Sequence, residues 1–137
     1  MITIKEDYVS FETAKLLKEK GFPIPSNSFE DWVFCMYDEN GNIQWGCYSR
    51  EWYARVTLQM AMKWLREVHG VTIIIDTNDI WLGEGDRFYW FKIYYKMGNR
   101  IEIKWYNDPS NPKDILRYLT YEESVEAAIK YCLEHLI

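Results

Sequence analysis

Two alternations of apolar and polar residues, facing each other across a short turn, constrain this chain more than any other feature. The first runs from Arg87 to Lys96 and the second from Arg100 to Tyr106, with Met97, Gly98 and Asn99 between them. Side chains on a strand alternate between faces, so such a pair folds as an antiparallel hairpin and needs a second layer over its apolar side. A three-residue turn segregates the faces: Tyr89, Phe91, Ile93 and Tyr95 then share a side with Ile101, Ile103 and Trp105. The opposite side carries Lys92, Tyr94 and Lys96 with Arg100, Glu102 and Lys104, and is expected to be wet. A two-residue turn would mix the two faces.

The covering layer is legible in the helix signals. Ser10 is placed to cap a helix over Phe11 to Lys20; Gly21 supplies a left-handed stop and Pro23 prevents continuation. A second helix is expected over Glu51 to His69 from the stripe Ala54, Leu58, Ala61, Met62, Leu65 and Val68, ending at Gly70. Thr120 and Glu123 form a capping box for a third, in which Val125, Ala128, Ile129, Cys132, Leu133 and Leu136 recur on one face. Between the helices lie a first hairpin, Trp32 to Asp38 and Ile43 to Tyr48 around an Asn40-Gly41 turn, and a buried β-branched strand, Val71 to Ile75. With a two-residue turn, Phe34 and Met36 share a face with Ile43, Trp45 and Cys47. The order predicts one α+β domain over residues 1–137: an antiparallel or mixed sheet of about five strands, with three helices packed mainly on one face.

Composition narrows the function classes. The net charge of −5 argues against a general nucleic-acid binder, which needs a basic face to neutralise phosphates. No stretch reaches the roughly 20 apolar residues of a membrane span, and the start has no secretory signal. Cys35, Cys47 and Cys132 have no CxxC spacing and read as reduced thiols of a cytoplasmic protein. With 7 Trp, 11 Tyr and 6 Phe, most aromatics are expected in the core, and a few can form a contact surface.

Candidate chemistry is sparse. Asp76, Asp79, Glu84 and Asp86 offer oxygen ligands to a hard cation, but Trp81 and Arg87 stand where a calcium loop needs Gly and Glu. No nucleophile elbow or phosphate-binding glycine loop is present, and His69 and His135 read as helix-end residues, so no catalytic residue is assigned. Lysines interleaved with aromatics on the second hairpin are what a single-stranded nucleic-acid binder uses. Trp81, Trp90, Lys92, Tyr94, Lys96 and Lys104 are therefore the candidate binding residues, for nucleic acid, protein or sugar.

Three stretches carry a resemblance. They are Tyr8 to Phe22, Thr57 to Gly70 and Thr120 to Ile129, with the patterns SFE-AK-LKEKGF, WLRE-HG and YEE-EA. Together they resemble a family of small phage- and prophage-encoded proteins from gut Bacteroidetes. Ser124 stands where that family usually has Ala, and Met60-Ala61 replaces its more common residues. The resemblance implies a phage or mobile-element origin and a bacterial cytoplasm, and transfers no catalytic residue. The leading expectation is a non-enzymatic accessory protein, without cofactor, that binds a host or phage protein; a homodimer is an open alternative. A single-stranded nucleic-acid binder using residues 87–106 and a metal-dependent enzyme using residues 76–86 are the others.

Overall fold

The computed structural model describes residues 7–23, 35–46, 48–77, 88–97, 100–106 and 118–137; for 96, 97 and 100–106 it describes the backbone alone. The elements are α1 (Phe11–Glu19), β1 (Cys35–Tyr37), β2 (Ile43–Trp45), β3 (Tyr53–Ala54), α2 (Leu58–His69), β4 (Val71–Thr77), β5 (Tyr89–Met97), β6 (Arg100–Tyr106) and α3 (Tyr121–His135). This is an α+β chain with antiparallel strands, as expected. The described strands form two three-stranded sheets, β2-β1-β3 and β4-β5-β6, rather than one sheet of about five.

Helix ends follow the local chemistry. Ser10 Oγ accepts from the Thr13 N–H at 3.2 Å, and Thr120 Oγ1 accepts from the Glu123 N–H at 3.1 Å. At the C-terminus of α1 the Phe22 N–H donates to the Leu17 carbonyl and the Gly21 N–H to the Lys18 carbonyl, with Gly21 at φ +91°. That is the paired closure that a left-handed glycine makes possible.

Helix α2 starts seven residues later than its stripe suggested, at Leu58 rather than Glu51. Thr57 is the cap, accepting from the Met60 N–H at 3.1 Å. Tyr53 and Ala54 pair instead with Tyr37 and Met36, as β3. An aromatic, then β-branched Val56 and Thr57, favour extended backbone there. The buried side of α2 is Leu58, Ala61, Trp64 and Leu65; Val68, expected on it, is exposed.

Both hairpin turns differ from expectation by one residue, in opposite senses. In the first, Cys35 pairs with Trp45, Met36 with Gln44 and Tyr37 with Ile43, and the Asp38 N–H donates to the Asn42 carbonyl, so Glu39, Asn40 and Gly41 form a loop of three residues instead of two. Asp38 is the cause. Its Oδ1 accepts from the N–H groups of Asn40 and Asn42, both at 2.9 Å, and its Oδ2 from Gln44 Nε2 at 3.1 Å. Gly41 takes the left-handed position at φ +83° that such a loop needs. Cys35 therefore shares a face with Trp45, and Met36 lies on the other; Phe34 and Cys47 lie outside the described residues.

Burial opposes the charge of Asp38, but the N–H donors of Asn42 and Asn40 and the Gln44 amide outweigh it and hold the carboxyl below the ordinary aspartate range. The folded chain thus binds this proton more weakly than the unfolded chain does. The resulting stability is present above the ordinary range and is lost as pH falls through the lower folded-state value. Asp38→Asn is expected to lower the urea midpoint at neutral pH and to converge with the native chain toward about pH 2. Midpoints that stay equally far apart would remove Asp38 from the acid response.

In the second hairpin Met97 pairs with Arg100, leaving Gly98 and Asn99 as a two-residue connection. Gly-Asn suits such a turn, whose twist matches that of the strands. Ile101, Ile103 and Trp105 therefore take register positions opposite Lys96, Tyr94 and Lys92. Lys104 sits opposite Ile93, on the alternate register.

The core joins all three helices to the sheets. Phe91 and Ile93 of β5 and Val71 and Ile73 of β4 meet Val125, Ala128, Ile129 and Leu133 of α3 and Leu65 of α2. Strand β4 alternates, with Val71 and Ile73 buried and Ile74 exposed, where a wholly buried strand was expected. Inside α3 the Ser124 hydroxyl is fully buried and has no hydrogen-bond partner. An unpaired buried hydroxyl costs free energy that alanine would not. Ser124→Ala is expected to stabilise the chain by about 1 kcal/mol, read from the urea midpoint. A midpoint unchanged or lowered would mean the hydroxyl is satisfied in solution.

Candidate functional site

The residues singled out in the sequence do not assemble into one site. Asp76 belongs to strand β4 and forms an ion pair with Lys92 at 3.2 Å. One candidate ligand thereby takes one candidate nucleic-acid lysine as its partner. Trp90 is buried, 9% exposed, with Phe88 at 5.5 Å between ring centroids and its indole N–H unpaired. Tyr94 is half-buried. Trp81, Asp79, Glu84 and Asp86 lie outside the described residues, as do the side chains of Lys96 and Lys104. Among the described residues no group of three or more His, Cys, Asp or Glu side chains is placed to hold a metal ion. Cys132 is sealed in α3, where burial pushes its thiol up to about 12, and so is not a nucleophile at neutral pH.

Exposed aromatic surface is found instead on β2. Trp45 is 55% exposed and Ile43 47%. Both lie on one face of the strand, beside Tyr8, whose ring meets Trp45 edge-on at 6.3 Å. The Arg55 guanidinium sits 4.0 Å from the Tyr8 ring centre, 5.8 Å from that of Tyr37 and 5.9 Å from that of Trp45. Its Nη1 donates to Cys35 Sγ at 3.1 Å.

Three backbone registrations hold this cluster. The segment Asp7–Val9 pairs with Val56–Leu58: the Val9 N–H donates to the Val56 carbonyl and the Leu58 N–H to the Asp7 carbonyl, both at 2.9 Å, which fixes Tyr8. The Arg55 N–H donates to the Cys35 carbonyl at 2.9 Å and fixes Arg55 against β1. The hairpin register set by Asp38 brings Trp45 opposite Cys35. The Tyr37 hydroxyl ties β1 to Val9 by donating to its carbonyl at 2.5 Å.

No carboxylate lies within ion-pair distance of Arg55 among the described residues. Burial opposes its charge, but contacts with Cys35 and Tyr37 outweigh this and raise its pKa above the ordinary value. The guanidinium is therefore cationic at any physiological pH and half-buried among rings, a placement in which cation–π attraction is strengthened by partial desolvation.

Tyr8 and Tyr37 also line a groove of about 520 Å³ together with Asp7, Glu122, Glu123, Glu126 and Tyr118. Glu126 is held structurally: its Oε1 accepts from the Ser10 N–H at 3.0 Å and from Thr13 Oγ1 at 2.6 Å. Tyr8 and Tyr37 thus border both a cationic, aromatic cluster and an acidic groove.

The chain matches no known family model, no curated protein and no solved structure. What the site can do must be argued from its own groups. It offers stacking area, a cation with no carboxylate partner among the described residues and two exposed apolar side chains on one face of β2.

Proposed function

We propose that this chain is a non-enzymatic accessory protein that works by binding another protein, with Ile43, Trp45, Tyr8 and Arg55 as its contact surface. The observation that carries the reading is the exposure of Trp45 beside Ile43 on a strand at the edge of its sheet among the described strands. Single exposed apolar residues are ordinary, but an adjacent pair backed by Tyr and Arg has the make-up of a binding hot spot. The resemblance of the helical stretches to phage and prophage proteins supports a mobile-element origin and a host or phage protein as the partner. The ion pair of Lys92 and the burial of Trp90 lend the nucleic-acid reading no support.

Capture of a partner from phage-infected bacterial extract tests this. The native chain is expected to retain a protein that Trp45→Ala releases, while the two have similar unfolding midpoints. A partner held equally by both, or none held by either, overturns the reading.

A further inference from the structure

We propose that the segment bound at this surface is an extended peptide carrying a carboxylate, which Arg55 receives between Tyr8 and Trp45. The proposal rests on the protein-binding reading and names the chemistry of the partner. Three observations converge on it.

The first is the charge left open. A guanidinium has five N–H donors in a planar fork suited to carboxylate. In Arg55 the Nη1 donor is used on a thiol, the Nε is buried without a partner, and no described carboxylate pairs with the group. A cation in partly desolvated surroundings gains more from an incoming anion than one in water does.

The second is the backbone of β2. The Asp38 N–H donates to the Asn42 carbonyl, so residues 38 and 42 are a hydrogen-bonded pair of the hairpin. Bonded and non-bonded pairs alternate along an antiparallel ladder. The pairs of Ile43 with Tyr37 and of Trp45 with Cys35 are therefore non-bonded. Ile43 and Trp45 turn their own N–H and C=O groups away from β1, toward the outer edge. The same two residues whose side chains are exposed thus present backbone groups to an added strand.

The third is what the surroundings exclude. The acidic groove shares Tyr8 as a wall, and the whole chain carries a net charge of −5. A nucleic-acid backbone would bring many phosphates against Asp7, Glu122 and Glu123, whereas a peptide can bring one carboxylate to Arg55 alone. The fitting occupant is a short extended segment with an isolated Asp or Glu flanked by apolar or basic residues.

A display library of random twelve-residue peptides, selected on the full chain, tests this directly. Selected peptides are expected to carry one Asp or Glu, to lose binding to Trp45→Ala, and to weaken at least about tenfold when that residue is changed to Gln or Asn. The peptide-side change leaves the protein untouched, so it stands even if Arg55→Met does not fold. Where Arg55→Met folds, it is expected to bind the acidic and amide peptides alike, and Arg55→Lys to retain part of the difference. Trp45-dependent peptides that keep their affinity on the change to amide overturn the carboxylate assignment and leave the protein-binding reading standing. A library yielding no Trp45-dependent peptide overturns both.

Discussion

Phe91→Ala is expected to remove about 3–5 kcal/mol of stability, the range for deleting a buried aromatic ring from a packed core. Phe91 is 1% exposed on β5, the central strand of its sheet. Its ring stacks on Tyr118 with centroids 6.2 Å apart and planes 28° from parallel. Tyr118 is in turn tied to Tyr89 by two backbone hydrogen bonds, at 2.8 and 3.1 Å, just before the Thr120 cap of α3. The substitution therefore opens a cavity and also loosens the path by which the chain enters α3. A domain of this size has a total stability of roughly 5–15 kcal/mol, so the substitution removes a large share of it. Urea denaturation followed by circular dichroism measures it. Trp45→Ala is the contrast: a still larger ring, more than half exposed, whose loss is expected to change stability by less than about 1 kcal/mol. Equal losses at the two positions would mean that Trp45 is buried in solution and that the contact surface described above does not exist.

The contrast between these two rings also marks how far the sequence could be read. Helix ends were legible because their signals are local: Ser10, Gly21 and Thr120 act on groups within a few residues of themselves. The α3 stripe was legible for the same reason, since its period needs no knowledge of the partner. Both hairpin turns were misjudged because two local signals competed there. At Asn40-Gly41 the favoured pair lost to Asp38, whose buried carboxylate gathers three donors only when the loop has three residues. In the second hairpin the pairing of Met97 with Arg100 is one residue away from the register that divides the faces. The start of α2 was drawn too early because Ala54 fits the helical stripe, although Thr57 three residues later was a sufficient cap.

The candidate site was less legible. Trp90 and Lys92 attracted attention through alternation, but pairing with β4 brings Asp76 to Lys92 and burial removes Trp90. Tyr8, Arg55 and Trp45 share no local pattern, and Arg55 was hidden inside an expected helix. They are brought together by the pairing of Asp7–Val9 with Val56–Leu58, a long-range event, and by a hairpin register that the Asn40-Gly41 pair disguises.

The same segment links the site to the far end of the chain. Glu126 of α3 reaches the start of α1, where it accepts from the Ser10 N–H and the Thr13 hydroxyl. In an ordinary capping box the third helical residue reaches back to the N-cap N–H. Here that residue is Thr13, whose side chain is too short, and a carboxylate from another helix takes the role. Its charge also sits at the positive end of α1. Hydrogen bonds to a charged group contribute roughly 1.5–3 kcal/mol, so Glu126→Ala is expected to lose about that much; its other oxygen, buried without a partner, argues against a larger figure. Glu12→Ala should cost much less, because the Glu12–Lys130 pair between the same two helices is largely exposed. A double-mutant cycle of Glu126→Ala with Thr13→Val is expected to show coupling of about 1 kcal/mol, and simple additivity would mean that the Thr13 contact carries nothing. Loss of Glu126 also frees the Ser10 backbone next to Val9, whose N–H donates to Val56 and holds Tyr8 in register. Hydrogen exchange at the Val9 amide is thus expected to speed up in Glu126→Ala more than exchange at the amides of β5. If both speed up equally, the substitution weakens the fold as a whole; if Val9 alone responds, Glu126 holds the Tyr8 wall of the binding surface in place.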